Sequence, residues 1–168
     1  MKSFIHFIPH AGIIGVLAGL MQWLDLMQPV PFSAWVGFAA WACYFLNGCN
    51  VQGGFKVMGC WTAGVAASIL IIELGTGLSA EMGPKVGFPV AVGLIAFFVI
   101  LFEKVPFLSF IPGWFIGAAC FFGYNTIVGG KYAVSVPLIL VSCVIGQLFG
   151  WVTVRLRTSY GKMMEGSV

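Results

Sequence analysis

Charge is scarce in this sequence. Asp, Glu, Lys and Arg make up 8% of its 168 residues against 60% hydrophobic, and the mean hydropathy is +1.03. A water-soluble domain covers its surface with charged and polar side chains, so that class is excluded and lipid is the solvent for most of the exterior. The apolar runs are long and uninterrupted, without the alternation of a transmembrane β-barrel. Acids are scarcest: Asp25, Glu73, Glu81 and Glu103 fall at the ends of apolar runs or in loops, so no carboxylate is committed to the bilayer centre. Proton-driven pumps and cation transporters usually keep an ionisable group there.

Paired cysteine motifs are also missing. Cys43, Cys49, Cys60, Cys120 and Cys143 form no CxxC and lie in or beside apolar runs, as small buried hydrophobes do. There is no GxSxG, no Walker loop, no HExxH and no nucleophile beside a base, so catalysis is not expected and no cofactor or metal is implied. His6 and His10 share a helical face, but Pro9 disturbs the turn between them and no third ligand type accompanies them. A wet pair at headgroup level is the expectation. No basic stripe with interleaved aromatics is present, so no nucleic-acid partner is expected.

What is present is a series of apolar runs. At roughly 20 residues per span, six transmembrane helices are expected near 8–27, 33–50, 55–74, 86–103, 109–128 and 133–155. Nothing outside them is long enough to fold separately, since "TGLSAEMGPK" at 76–85 reads as a loop and the tail is short and polar. One transmembrane domain fills the chain, 1–168. With the N-terminus inside, Lys2, Lys56, Lys104, Arg155, Arg157 and Lys162 collect on the cytoplasmic side and leave Lys85 and Lys131 outside, as the positive-inside rule requires. Both termini are expected in the cytoplasm. Trp23, Trp35, Trp114 and Trp151 lie near span ends and suit interfacial anchoring; Trp41 and Trp61 read as packing.

The chain nearly repeats itself. "ACYFLNGCNVQGGFK" at 42–56 is answered by "ACFFGYNTIVGGK" at 119–131, and "PVPFSAW" at 29–35 by "KVPFLSF" at 104–110. Phe38, Ala42, Cys43 and Phe45 align with Phe115, Ala119, Cys120 and Phe122 at one constant offset; after a one-residue gap Gly53 and Gly54 fall on Gly129 and Gly130, and Lys56 and Lys131 follow the glycines in both copies. Each copy holds three helices, about 8–74 and 86–155. Three is odd, so the second copy enters from the opposite side and the repeat is inverted, an arrangement of many transport folds. The fold class expected is an all-α polytopic membrane protein of two inverted three-helix repeats.

The Gly pairs are expected as helix breaks or close-packing points, or as plain connecting loops at the membrane surface. Beside them Asn47, Asn50 and Asn125 supply amides, and Gln147 is the strong hydrogen-bonding side chain near the middle of a span, a candidate for a polar path or for a bond to a neighbouring helix. These four are the candidate pore-lining residues. Small residues recur at helical spacing, as in Ala11, Gly15 and Gly19 or Ser142, Gly146 and Gly150. Such stripes pack helices and serve contacts between copies, so a homo-oligomer is expected.

The stretches "WACYFLNG", "GGFKVMG" and "IPGWFIGAACFFG" resemble the YcdZ-type family of small bacterial inner-membrane proteins. The resemblance covers most of the chain. It implies a multi-helix protein of the bacterial inner membrane and names no substrate, and no functional residue carries over from it. The three-plus-three inverted arrangement is similar to that of aquaporins, formate channels and urea channels, an analogy of fold alone. The functional expectation is a channel or facilitator for a small neutral or weakly ionised solute, with a pore in each subunit between the repeats. The alternatives are an accessory or structural membrane protein that binds partner subunits, and a secondary transporter.

Overall fold

The computed structural model describes residues 2–28 and 30–165, with side chains from 7 to 28 and from 30 to 164. Every regular element among the described residues is helical: α1 (Lys2–Met27), α2 (Ala34–Leu46), α3 (Val51–Met82), α4 (Pro84–Leu101), a 3-10 turn at Phe102–Lys104, α5 (Ile111–Ile127) and α6 (Tyr132–Glu165). Helices are what an apolar chain must form in lipid, because each satisfies its own backbone polar groups. Four stretches are long and apolar enough to cross a membrane: Phe7–Met27, Val51–Met82, Pro84–Lys104 and Tyr132–Met164.

The remaining two helices are short. The expected span at 33–50 is reduced to 13 residues in α2, about 20 Å at ~1.5 Å per residue, against a hydrocarbon core of about 30 Å. Its stop is built from backbone. The N–H of Cys49 reaches back to Tyr44 O at 3.2 Å, with Gly48 and Cys49 at φ 91° and 55°, the six-to-one closure of a Schellman motif. The 17-residue α5 ends the same way: Gly130 N–H donates to Asn125 O at 2.8 Å, and Gly129 and Gly130 stand at φ 66° and 78°.

α1, α3 and α6 outrun their expected ranges, while α4 keeps 18 residues. The expected loop at 76–85 is helical except for Gly83, whose φ of 79° makes the turn from α3 into α4. Small residues make this possible. A Cβ on Gly87 would meet the backbone of Leu78 and Ser79, and one on Gly75 would lie 2.9 Å from the Phe88 ring, so α4 folds back closely on the end of α3. Glu73, expected at a span end, therefore sits inside α3; it is exposed and accepts a hydrogen bond from Tyr132 Oη at 2.9 Å.

The chain packs as two compact units, each made of sequence-distant pieces: residues 1–54 with 141–168, and residues 55–140. In the first, Leu17 and Met21 of α1, Phe32, and Ala34 and Trp41 of α2 form the core, with Val141, Ile145, Phe149 and Val152 of α6 packed against it. In the second, Cys60 and Ala67 of α3, Val99 of α4 and Trp114 of α5 form the core. Trp114, expected as an anchor, is buried here and donates Nε1–H to Leu108 O at 2.9 Å. Trp23, Trp35 and Trp151 are exposed, and Arg155 lies 5.3 Å above the Trp151 ring.

Candidate functional site

Within a membrane helix a side-chain hydrogen-bonding group has no water to fall back on, so the buried polar side chains are the natural place to look for function. Among the described residues these are Ser68, Asn125, Ser135, Ser142, Gln147 and Thr153. None is charged. Ser68 and Thr153 return their hydroxyl protons to carbonyls one turn earlier, Gly64 O and Phe149 O, the local bond that lets a hydroxyl sit in an apolar helix.

In the first unit, α6 crosses α2 through Ser142, Gly146 and Gly150. Ser33 N–H donates to Ser142 Oγ at 2.9 Å, and a Cβ on Gly146 would meet Gly37 O and lie 2.6 Å from Ala40 Cβ. One on Gly150 would lie 2.6 Å from the Tyr44 ring. This close approach brings Gln147 to the α2 backbone, where Nε2 donates to Ala40 O at 2.6 Å. Its other end is unmatched. Gln147 is 6% exposed, and Oε1 has no hydrogen-bond partner; it faces the α-carbon of Gly54 in the first turn of α3, beside the Tyr44 ring. Trp41, on the same stretch of α2, buries an unpartnered Nε1–H among Phe38, Phe45 and Phe149.

The sequence candidates near α2 do local work. Asn47 caps α2 and donates Nδ2–H to Gly53 O at 2.9 Å; Asn50, exposed, accepts Gly53 N–H on Oδ1 at 2.8 Å and donates to Gly48 O. That is an N-cap bond for α3. Gly53 and Gly54 are helical and buried, and a side chain on Gly53 would collide with Asn47 O. Gly129 and Gly130, by contrast, form the turn after α5 with open space around them. The aligned glycines thus occupy different places: Gly48 and Cys49 make the turn that Gly129 and Gly130 make.

In the second unit, α5 crosses α3 at small residues in its turn. A Cβ on Gly117 would lie 2.7 Å from Trp61 O, and one on Gly64 would meet Trp114 O. Asn125, 7% exposed near the end of α5, accepts the Ser135 hydroxyl proton on Oδ1 at 2.9 Å. Trp61 is fully buried with Nε1–H unpartnered. At the opposite end of the unit Lys56 Nζ donates to Ser109 Oγ at 2.6 Å. A cavity of about 260 Å³ lies among α3, α4 and α5, lined by apolar residues such as Ala67, Ile95 and Phe122; it offers a polar solute nothing to bond. The Gln147 corner and the Asn125–Ser135 pair are therefore the polar centres. The unpartnered tryptophan N–H groups were not legible as candidates, because an indole in an apolar run reads as packing.

The remaining candidates are set apart. His10 packs edge-on against the Tyr160 ring, centroids 5.2 Å apart, and the His6 side chain lies outside the described residues. No group of three metal-binding side chains occurs among the described residues.

Comparison with known proteins places the chain. Residues 12–157 match the family described as "Protein of unknown function (DUF1097)". The chain belongs to this family. It is 29% identical over 140 residues to the "Inner membrane protein YcdZ" of Escherichia coli (strain K12), covering 82% of this chain and 77% of that protein. To the protein of the same name from Salmonella typhimurium it is 30% identical over 140 residues, covering 82% and 78%. No solved structure matches it. The family resemblance read from the α2, α3 and α5 motifs is thereby shown, and with it a membrane protein whose curated relatives are inner-membrane proteins.

Proposed function

We propose that this chain is an inner-membrane facilitator for a small neutral solute that donates hydrogen bonds. The observation that carries this is the Gln147 carbonyl oxygen, buried and without a partner in the first unit. An unmet buried acceptor costs about 1–3 kcal/mol, and such a group invites an explanation. A site for a passing N–H or O–H donor supplies one: the oxygen is left unbonded by the protein so that solute or water can bond it in transit. The second unit has a buried amide of its own, Asn125. The absence of charge among the buried polar residues described favours a neutral solute over an ion, since ion paths are lined by charged rings or by dense carbonyl cages.

An inverted repeat fits the same reading. Ala40 aligns with Gly117 at the offset that aligns Phe38 with Phe115. Ala40 on α2 is approached by Gly146 on α6, and Gly117 on α5 by Trp61 on α3. Each short helix is thus crossed by the long third helix of the other sequence half, which is how two inverted three-helix repeats with exchanged third helices would pack. In this arrangement α2 and α5 complete six passes, both termini lie in the cytoplasm, and Lys56, Lys104 and Arg155 face it.

A second reading, an accessory subunit, is favoured by α1: Cβ atoms on Gly12, Gly15 and Gly19 would meet nothing within 4 Å, leaving a small-residue face for another copy or a partner helix. The two readings separate on flux. Purified protein in proteoliposomes is challenged with urea, glycerol, ammonia, formate and acetate in stopped-flow light scattering. Flux of a neutral donor well above that of the anions is expected. No flux above empty liposomes from folded protein would favour the accessory subunit.

A further inference from the structure

The apolar cavity of the second unit belongs to no part of the polar centres described above. It opens to the outside of the unit: Val92, Phe115 and Ala119 line it and are exposed. Its floor is made of small side chains, Gly64 and Ala67 on α3, Ala96 on α4 and Ala118 on α5. One end is closed by Trp114, against which Phe102 of the 3-10 turn stacks at 5.3 Å. Beyond that end the unit turns basic. Lys56, on the helical stripe that continues through Cys60, Gly64, Ala67 and Ile71, is held by Ser109 at 2.6 Å, and Lys104 is exposed at the close of the 3-10 turn.

We propose that this groove holds one acyl chain of an anionic phospholipid whose phosphate is met by Lys56 and Lys104. Three observations fit the occupant. The one hydrogen-bonding side chain that lines the groove, Trp114, spends its N–H on Leu108 O, so the groove selects hydrocarbon. Gly64 lies eight residues from Lys56, about 12 Å along the helix, so the groove begins deeper than a headgroup layer of roughly 5–8 Å, in the hydrocarbon. The groove itself, from Gly64 to Ile71 on α3 and from Val92 to Val99 on α4, is about 10 Å long, the dimension of an outer stretch of one chain. Glu103 is the neighbouring carboxylate at this end and opposes the two lysines, so removing its charge should tighten binding. Juxtamembrane lysines attract anionic lipid by roughly fivefold each.

Native mass spectrometry of the full-length protein, released from detergent containing equal phosphatidylglycerol and phosphatidylcholine with the same acyl chains, tests this. One phosphatidylglycerol retained over phosphatidylcholine by roughly 25-fold is expected for two ammonium contacts. Lys56→Gln and Lys104→Gln should each cut that preference roughly fivefold, and Glu103→Gln should raise it. Filling the groove with Ala96→Leu and Ala118→Leu should remove retention of both lipids. Should the filled variant misfold, wild-type protein offered phosphatidylglycerol with six-carbon chains answers instead, because loss of the groove contact should abolish retention. Equal retention of the two lipids, an unchanged preference in the double lysine variant, full retention of the six-carbon lipid, or a second copy of the chain found covering the groove would each overturn the proposal.

Discussion

Gly146→Ala adds one methyl group where α6 crosses α2. The new Cβ would point at Gly37 O and lie 2.6 Å from Ala40 Cβ and 2.9 Å from Trp41 N, whereas ordinary contact begins at 3.4 Å. Most of these neighbours are backbone, so no rotamer change relieves them and the helices must part by about 1 Å. Overpacking of this kind costs about 1–3 kcal/mol. Parting also stretches the adjacent Gln147 Nε2–Ala40 O bond from 2.6 Å towards the limit of a useful hydrogen bond, a further loss of about 1 kcal/mol. The total is about 2–4 kcal/mol. Gly15→Ala is the matched control, because nothing lies within 4 Å of its Cβ position and alanine is the better helix former by up to about 1 kcal/mol. Both are measured by titrating SDS into dodecyl-maltoside micelles and following helix content. An unfolding midpoint unchanged by Gly146→Ala, or lowered equally by Gly15→Ala, would refute the close crossing.

The second unit should answer alike: Gly64→Ala, directed at Trp114 O, should destabilise by about 1–3 kcal/mol in the same titration. Asn50→Ala removes the bond to Gly53 N–H and should cost about 1 kcal/mol while leaving flux intact, since Asn50 is exposed. Cys49→Gly should stabilise by about 1 kcal/mol, because Cys49 holds φ 55°, a left-handed conformation that costs any residue with a Cβ; a lower unfolding midpoint would contradict that.

Much of the fold was legible because lipid makes strong demands on sequence. Long apolar runs mark helices regardless of tertiary context, so six helices could be read from hydropathy and glycine stripes. The lengths were harder. Gly83 alone turns the chain between α3 and α4, and the polar-looking stretch at 76–82 stays helical because Gly75 and Gly87 let the two helices close on each other. The sequence likeness of α2 and α5 keeps a constant offset through Phe45 and is lost beyond it, where α5 runs four residues longer than α2. Glycine letters then matched where backbone roles did not. A cysteine at positive φ, doing the work of Gly130, carries no signal in composition.

The candidate site was legible by residue type and opaque in detail. An amide near the middle of an apolar run announces a bond to something, and Gln147 was marked that way, whereas Asn125 was marked by its place beside Gly129 and Gly130. Whether each is satisfied depends on a partner far along the chain: Ala40 takes one end of Gln147 and leaves the other open, while Ser135 meets Asn125. Spacing carries none of this, because it arises where Gly146 lets α6 approach the α2 backbone.

The most direct test of the facilitator is the Gln147 oxygen itself. Proteoliposomes holding equal amounts of folded wild-type protein, Gln147→Leu or Gln147→Glu are compared by stopped-flow light scattering on whichever neutral solute the wild type passes fastest. Gln147→Leu should lower that flux at least tenfold, the loss of about 1.4 kcal/mol from one hydrogen bond in transit, while Gln147→Glu, which keeps an acceptor, should retain more. Wild-type flux that survives Gln147→Leu unchanged would contradict the account.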